Sequence, residues 1–180
     1  VNQAAELDEA LVLARAASRG GQCVIETFCH GELYSHSAFI RGGEIVCEFF
    51  VDEYCTVYPW QVNSSCLSVN LSESLRDRVS ECMQDIVRDL QLVDGLLHTQ
   101  FIASDNDFWL IEVTRRCPGD LYSRLIELST NVDYSREFVA PFIGEASCFT
   151  ERRPARQRLI ARHTASDNRK SRFVGFGYSP

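Results

Sequence analysis

The chain predicts an α+β fold, an antiparallel sheet with packed helices. Three observations carry this. Gly42-Gly43 stands between two runs of aliphatic and aromatic residues, which reads as a hairpin because glycine tolerates the positive φ of a tight turn. Leu75, Val79, Cys82, Met83, Ile86, Val87 and Leu90 recur at helical spacing, as on one long amphipathic helix. A second pair of apolar runs, residues 96–103 and 108–114, flanks the polar turn Ser104-Asp-Asn-Asp107. The order is helix, hairpin, helix, hairpin, helix.

Residues 6–18 predict the first helix: Leu7, Ala10, Leu11, Ala14 and Ala17 share a face, and Gly20-Gly21 stop it. Residues 23–28 predict a short buried strand, broken at Gly31, and residues 33–41 and 44–51 form the hairpin. From Tyr54 to Val69 the signal fades, with Tyr58-Pro-Trp60 reading as an aromatic loop. Asn70 or Ser72 caps the long helix and Asp94-Gly95 end it. After Pro118-Gly119, residues 121–128 and 134–143 predict two more helices. A main domain over 1–148 then gives way to a basic and polar extension over 149–180. There Glu151-Arg-Arg-Pro-Ala-Arg-Gln-Arg precedes one further strand at 159–163, a polar stretch at 164–170 and the closing Phe173-Val-Gly-Phe-Gly-Tyr178.

With 180 residues and 45% apolar content, the chain can bury one good core. A net charge of −7 with scattered basic residues argues against nucleic acid as a partner. The longest apolar runs fall well short of the roughly 20 residues of a membrane span. The opening Val1-Asn-Gln-Ala-Ala lacks the basic head and apolar segment of a signal peptide, and the absence of an initial Met predicts a piece of a longer protein. Eight cysteines include no C-x-x-C pair and no His at ligand spacing, so reduced thiols and a cytoplasmic location are expected. The Asn63 and Asn70 sequons then carry no meaning. Cys117, beside Arg115 and Arg116, is either a thiol of lowered pKa or a buried turn residue.

The most informative stretch is Phe108-Trp-Leu-Ile-Glu-Val-Thr-Arg-Arg-Cys-Pro-Gly-Asp120. Along a strand, Glu112 and Thr114 point the same way and Val113 the other. A carboxylate beside a guanidinium at a strand exit is either a structural ion pair or a site for magnesium and phosphate oxygens. A three-residue loop Asp105-Asn-Asp107 would pair Gln100 with Glu112 and His98 with Thr114, all four on one face. A loop differing by one residue would turn Gln100 to the other face.

These residues resemble the ATP-grasp family. The run Gly95-Leu-Leu-His-Thr-Gln-Phe-Ile, a turn, and Leu110-Ile-Glu-Val-Thr-Arg-Arg-Cys-Pro-Gly-Asp120 is similar to the family's closing strands, which read roughly I-E-[IV]-N-x-R. Upstream, Val24-Ile-Glu-Thr-Phe-Cys-His-Gly-Glu-Leu-Tyr-Ser35 resembles its V-E-E-[FY]-I-x-G-x-E-[YF]-S crossing beneath the adenine. The resemblance spans about residues 5–145 and implies the C-terminal lobe of an ATP-grasp fold, with ATP and Mg²⁺ as cofactors. It implies that Glu112 is the bridging magnesium ligand, that Arg116 touches the transferring phosphate, and that Glu26, Thr27, Phe28 and Cys29 form the adenine hinge.

Departures from the pattern are specific. Gln100 stands where the family usually has its first acidic metal ligand, and Thr114 where it usually has asparagine; both offer neutral oxygens. Leu33 falls on the ribose-binding glutamate, which Glu32 replaces only if the strand slips by one. The front lobe, with its glycine-rich loop and phosphate-binding lysines, has no counterpart here, the one lysine being Lys170. The resemblance implies part of a ligase that activates a carboxylate as an acyl phosphate for attack by an amine or other nucleophile. The alternative is an inactive nucleotide-binding or regulatory module. The partners implied are small-molecule carboxylate and amine substrates, the missing N-terminal lobe and, as an assembly, a homodimer. On residue chemistry alone, Arg115 reads as solvent-facing, Asp120 as a helix cap and His98 as a packed strand histidine.

Overall fold

A computed structural model of the chain describes residues 1, 3–58, 61–105, 107–146, 148–149, 152–155, 158–166 and 172–178. The expectations for Pro59-Trp60, for Asn106 in the second hairpin turn, for Glu151, Arg156 and Gln157 in the basic stretch, and for residues 167–170 fall outside them. Helix α1 spans Leu7–Ala17. Strands β1 (Glu32–Arg41) and β2 (Glu44–Tyr54) form the first hairpin, followed by β3 (Ser64–Leu67) and α2 (Glu73–Asp89). The second hairpin is β4 (Gly95–Ser104) and β5 (Asp107–Thr114), then α3 (Tyr122–Thr130) and α4 (Tyr134–Ile143). Strands β6 (Ile160–Ser166) and β7 (Arg172–Tyr178) close the chain. All seven strands join one sheet in the order β5-β4-β1-β2-β3-β6-β7, and every neighbouring pair is antiparallel. No helix among the described residues is long and apolar enough to cross a membrane.

The α+β class follows, with helices on both faces of the sheet. Residues Tyr34, Ala38, Phe50, Leu97 and Phe101 pack against Leu75, Val79, Met83 and Val87 of α2. On the other face Phe39, Cys47, Phe49, Val51 and Leu96 meet Tyr122, Leu125, Ile126 and Tyr134 of α3 and α4. Each Val, Leu, Ile, Phe or Met among them contributes about 1.5–3 kcal/mol by leaving water. Gly42 and Gly43 both take positive φ (57° and 82°) in the two-residue turn, as the hairpin required. Ser72 supplies the cap of α2, its hydroxyl accepting from the Leu75 N–H at 3.3 Å.

Several elements differ from the sequence reading. Residues 23–28 form no strand, and Val24 and Ile25 are 82% and 62% exposed; β-propensity makes no ladder without a partner strand to accept its hydrogen bonds. Strand β3 was hidden because Ser-Ser-Cys-Leu carries little β signal. The glycine-interrupted tail gives β7 besides β6, because pairing on β6 outweighs glycine's weak strand preference. Helix α2 ends at Asp89, with Leu90 as its C-cap, not at Asp94-Gly95, and Gly95 opens β4. Gly31, at φ 157°, lies so close to β4 that a Cβ there would stand 2.4 Å from the Ala103 carbonyl oxygen.

The second hairpin keeps the expected pairing by another route. Ser104 pairs with Asp107, one residue tighter than a three-residue loop. A bulge then inserts Ile111, so that Gln100 still faces Glu112 and His98 faces Thr114. Val46 plays the same part in β2, where Phe39 pairs with Cys47 and Ile40 with Ile45.

Beneath α2, Glu48 is buried and gathers four partners: His36 Nε2 at 3.1 Å, Ser80 Oγ at 2.8 Å, Arg153 Nε at 2.6 Å and Arg152 Nε at 3.3 Å. Burial pushes this carboxyl up, but the His36 hydrogen bond and charge, then Arg153 and Ser80, outweigh it and hold it at about 2. Two predictions follow from these packing constraints. Gly31→Ala should lower the unfolding free energy by about 2 kcal/mol, whereas Gly20→Ala, which meets open space, should stay within about 0.5 kcal/mol; denaturant melts compare them. Because the folded Glu48 carboxyl lies below its ordinary 4.5, its stabilisation is complete above that pH and fades as pH falls toward about 2. The gap in stability between the native chain and Glu48→Gln, about 3 kcal/mol near neutrality, should therefore close over that acid range.

Candidate functional site

A cleft of about 930 Å³ opens at one end of the sheet, lined by Phe28–Leu33, Glu53–Val57, Val62, Gln100, Ile102 and Ile111. Its floor comes from the ends of β1, β2, β4 and β5 and its wall from the irregular segment before β1. Strand alternation puts Leu33, Ser35, Gln100 and Ile102 on the α3/α4 face, with Glu53 opposite Leu33 on β2. Gln100 Nε2 donates to Glu53 Oε2 at 2.7 Å, and Glu53 is only 6% exposed. Burial pushes the Glu53 carboxyl up, and hydrogen bonds to Ser35 and Gln100 offset only part of that; the Asp120 charge adds to the rise and Arg162 opposes it.

Of the residues singled out from sequence, Phe28, Cys29, Glu32 and Gln100 border this cleft. Glu26 and Thr27 line a second groove of about 670 Å³, against α1, Ile102, Trp109 and Ile111, that Phe28 and Cys29 share. The Leu33–Ile102 and Ser35–Gln100 pairings show no slip, so Glu32 alternates with Tyr34 onto the α2 face and Leu33 keeps the cleft-facing position. Glu112 lies beside the cleft, paired with Gln100, exposed, and with no partner for its carboxylate among the described residues; its carbonyl accepts from Thr99 Oγ1 at 2.5 Å. Thr114 is half-buried opposite His98. Arg116 is exposed, its one described contact a 3.4 Å hydrogen bond to the Cys117 carbonyl, and it has no ion-pair partner among the described residues. The strand-end ion pair is thus absent among the described residues, and the two charges remain available.

The neighbouring candidates resolve into structure. Arg115 donates to the Val93 and Asp94 carbonyls at 2.9 and 3.0 Å rather than facing solvent freely. Asp120 does not cap α3, whose first turn has no side-chain cap; it pairs with Arg162 of β6. Arg162, 1% exposed, also donates to Ser65 Oγ at 2.8 Å and to the Asp120 carbonyl at 2.9 Å. Burial and the Asp120 charge push the Cys117 thiol up, with Tyr134 and Arg116 only partly opposing, which is unlike a reactive cysteine. None of the eight cysteines forms a disulfide.

Sequence reasoning missed Glu53 and Arg162. The alternation Phe49, Val51, Glu53 continues the first hairpin and could have placed Glu53 on the site face. Nothing local marks Arg162, whose burial comes from pairing across 97 residues to Ser65.

Oxygen chemistry fits a hard divalent ion here. Two carboxylates, Glu53 and Glu112, flank the Gln100 amide, whose carbonyl oxygen is uncommitted once its nitrogen donates to Glu53. Among the described residues no three His, Cys, Asp or Glu side chains cluster as a metal cage. Mg²⁺ ordinarily takes one or two carboxylates plus phosphate oxygens and water, so two suffice.

No family model and no curated protein matches the chain. Solved structures do. Phosphoribosylglycinamide synthetase from Anaerococcus prevotii superposes with a TM-score of 0.72 at 14% identity, over 93% of this chain and 43% of that one. L-amino acid ligase from Bacillus licheniformis gives 0.65 at 18%, over 78% and 35%, and the ADP complex of N5-carboxyaminoimidazole ribonucleotide synthetase gives 0.67 at 17%, over 91% and 41%. The chain has the ATP-grasp fold, in the form of its C-terminal lobe. It spans less than half the length of each of these enzymes.

His98 is 4% exposed, with Nδ1 2.8 Å from Ser37 Oγ and its ring edge-on to Tyr122. Burial, then the His36 and Arg116 charges, pull it down to about 3. It should stay neutral, its ring proton shifts flat by NMR from roughly pH 8 to 5. The unfolded chain takes up that proton near 6.5, so His98 costs stability as pH falls below that value toward 3.

Proposed function

We propose that the chain is the ATP-site half of a ligase that joins a carboxylate to an amine at the expense of ATP. The observation that supports it most is the pairing of Gln100 with Glu112, beside a cleft walled by Phe28–Leu33, in a sheet with the ATP-grasp fold. The similar structures, two synthetases and an amino acid ligase, point the same way.

In this reading the backbone of Glu26–Cys29 reads the adenine edge, and Leu33, not Glu32, stands at the ribose end. Glu112 holds magnesium, with Gln100 and Thr114 offering neutral oxygens; bound there, the ion supplies charge neutralisation for the phosphates. Arg116, free of any acid, meets the transferring phosphoryl group with its fork of donors. A carboxylate oxygen of the substrate bonds to the γ-phosphorus as the bond to ADP breaks. The amine then attacks the acyl carbon, loses a proton and expels phosphate. His98, held neutral and packed, takes no part. The phosphate-grasping lysines and glycine-rich loop belong to the N-terminal lobe, and the whole works in the cytoplasm on small molecules, as a homodimer.

Two measurements test this. The isolated 180-residue chain should bind MgATP weakly in calorimetry, and tight binding would contradict the half-clamp reading. In a protein that also carries the N-terminal lobe, Glu112→Ala should reduce ADP release dependent on carboxylate and amine by about a hundredfold or more. Undiminished turnover in that variant would discard Glu112 as the metal ligand, and no turnover in the parent would favour the regulatory module.

A further inference from the structure

A diagonal of side chains crosses the α3/α4 face of the sheet. It runs from Glu112 on β5 through its partner Gln100 on β4 to Ser35 on β1, and then steps past Val51, the β2 partner of Ser35, to Glu53, the next β2 residue on that face. Strands β2 and β4 both pair with β1, so their backbones stand about 10 Å apart, two strand spacings. Long side chains bridge that gap only above a small residue. Ser35 is that residue, and over it Gln100 and Glu53 meet at 2.7 Å.

Glu53 forms no salt bridge with any described Arg or His side chain. Arg162, whose charge reaches it, is committed to Asp120. A buried carboxylate without a counter-ion is costly, and one that lines an open cleft has room for a cation to arrive. The identity of residue 100 matters here. A carboxylate at that position would stand in hydrogen-bond contact with Glu53, and two like charges so close resist joint ionisation. The amide removes that conflict and bonds Glu53 instead.

Resting on the magnesium reading above, we propose that Glu53 supplies the second carboxylate of the metal site, with Gln100 as the neutral ligand between Glu53 and Glu112. The negative charge that an acidic residue 100 would carry has moved two strands across the sheet. The site therefore keeps two carboxylates and stays suited to a hard divalent ion.

Mn²⁺ serves as the probe, its uptake by the 180-residue chain followed through the loss of the free-ion EPR signal. Glu112→Gln and Glu53→Gln should each weaken uptake about tenfold or more. The exchange variant, Glu53→Gln with Gln100→Glu, should regain it, because the carboxylate returns to the neighbouring position. Regain also shows that the loss in Glu53→Gln was not a folding failure, and thermal melts check each variant. If Glu112→Gln weakens uptake and Glu53→Gln does not, or if the exchange regains nothing, this proposal falls and the reading of Glu112 stands. If neither single variant matters, or the parent takes up no Mn²⁺, both fall.

Discussion

The register of β4 between β1 and β5 is the constraint on which the rest depends. Because side chains alternate, one residue of slip would move every side chain to the opposite face. On the α2 face the row Leu97, Phe101 and Ala103 belongs to a dry core. Without the Ile111 bulge, Glu112 would follow Phe108 and Leu110 onto that face and carry an unpaired carboxylate toward it. With the bulge, β5 gives its first half to the α2 core and its second half to the site. One inserted residue thus separates packing from chemistry on a single strand. Val46 does the same in β2, letting Ile45 serve the α2 core and Cys47 the opposite one.

The basic tail fastens both faces. Arg153 reaches Glu48, Glu73 and Asp77, at 2.6, 2.7 and 2.9 Å, tying α2 to β2. Arg162 pins Ser65 and Asp120, and with Asp120 the turn after β5, where Leu121 takes a left-handed φ of 63°. That conformation costs about 1–2 kcal/mol for a non-glycine residue and persists because its neighbours fix it. Neither pair need stabilise the fold against an apolar replacement, but removing one partner strands a buried charge. What they secure is position: the turn that carries Arg116 is anchored from a strand three elements later.

The sequence made periodic and local features legible, and features made by distant pairing illegible. Helix α2, the Gly42-Gly43 hairpin and the Gln100–Glu112 pairing all rest on spacing within one segment or one turn. A three-residue loop would give the same pairing; the actual turn is one residue tighter, and the bulge makes up the difference. Strand β3, by contrast, owes its existence to β2 and β6 on either side, since Ser-Ser-Cys-Leu has no pattern of its own. Glu53 escaped notice because its importance lies in Gln100, 47 residues away. Arg162 looked like one more charge in a basic tail until β6 buried it.

The failed strand at residues 23–28 has the most to say about mechanism. Its sequence alternates and carries Val, Ile and Phe, yet Val24, Ile25 and Phe28 remain exposed, as do Val12 and Leu13 on α1. Helix α1 buries no residue at all, although its apolar face is real. Apolar spacing on two adjacent elements with neither one buried leaves apolar surface that the described residues do not cover. Trp109 and Ile111 of β5 continue the same exposed stretch around the groove shared with the hinge. In the proposed ligase this is where the other lobe stacks, and pairing there would turn residues 23–28 into the strand their sequence favours. The adenine hinge would then become rigid only once both lobes are present. The weak nucleotide binding proposed for the isolated half would have its physical cause in that dependence: the residues proposed to read the base would not yet be held.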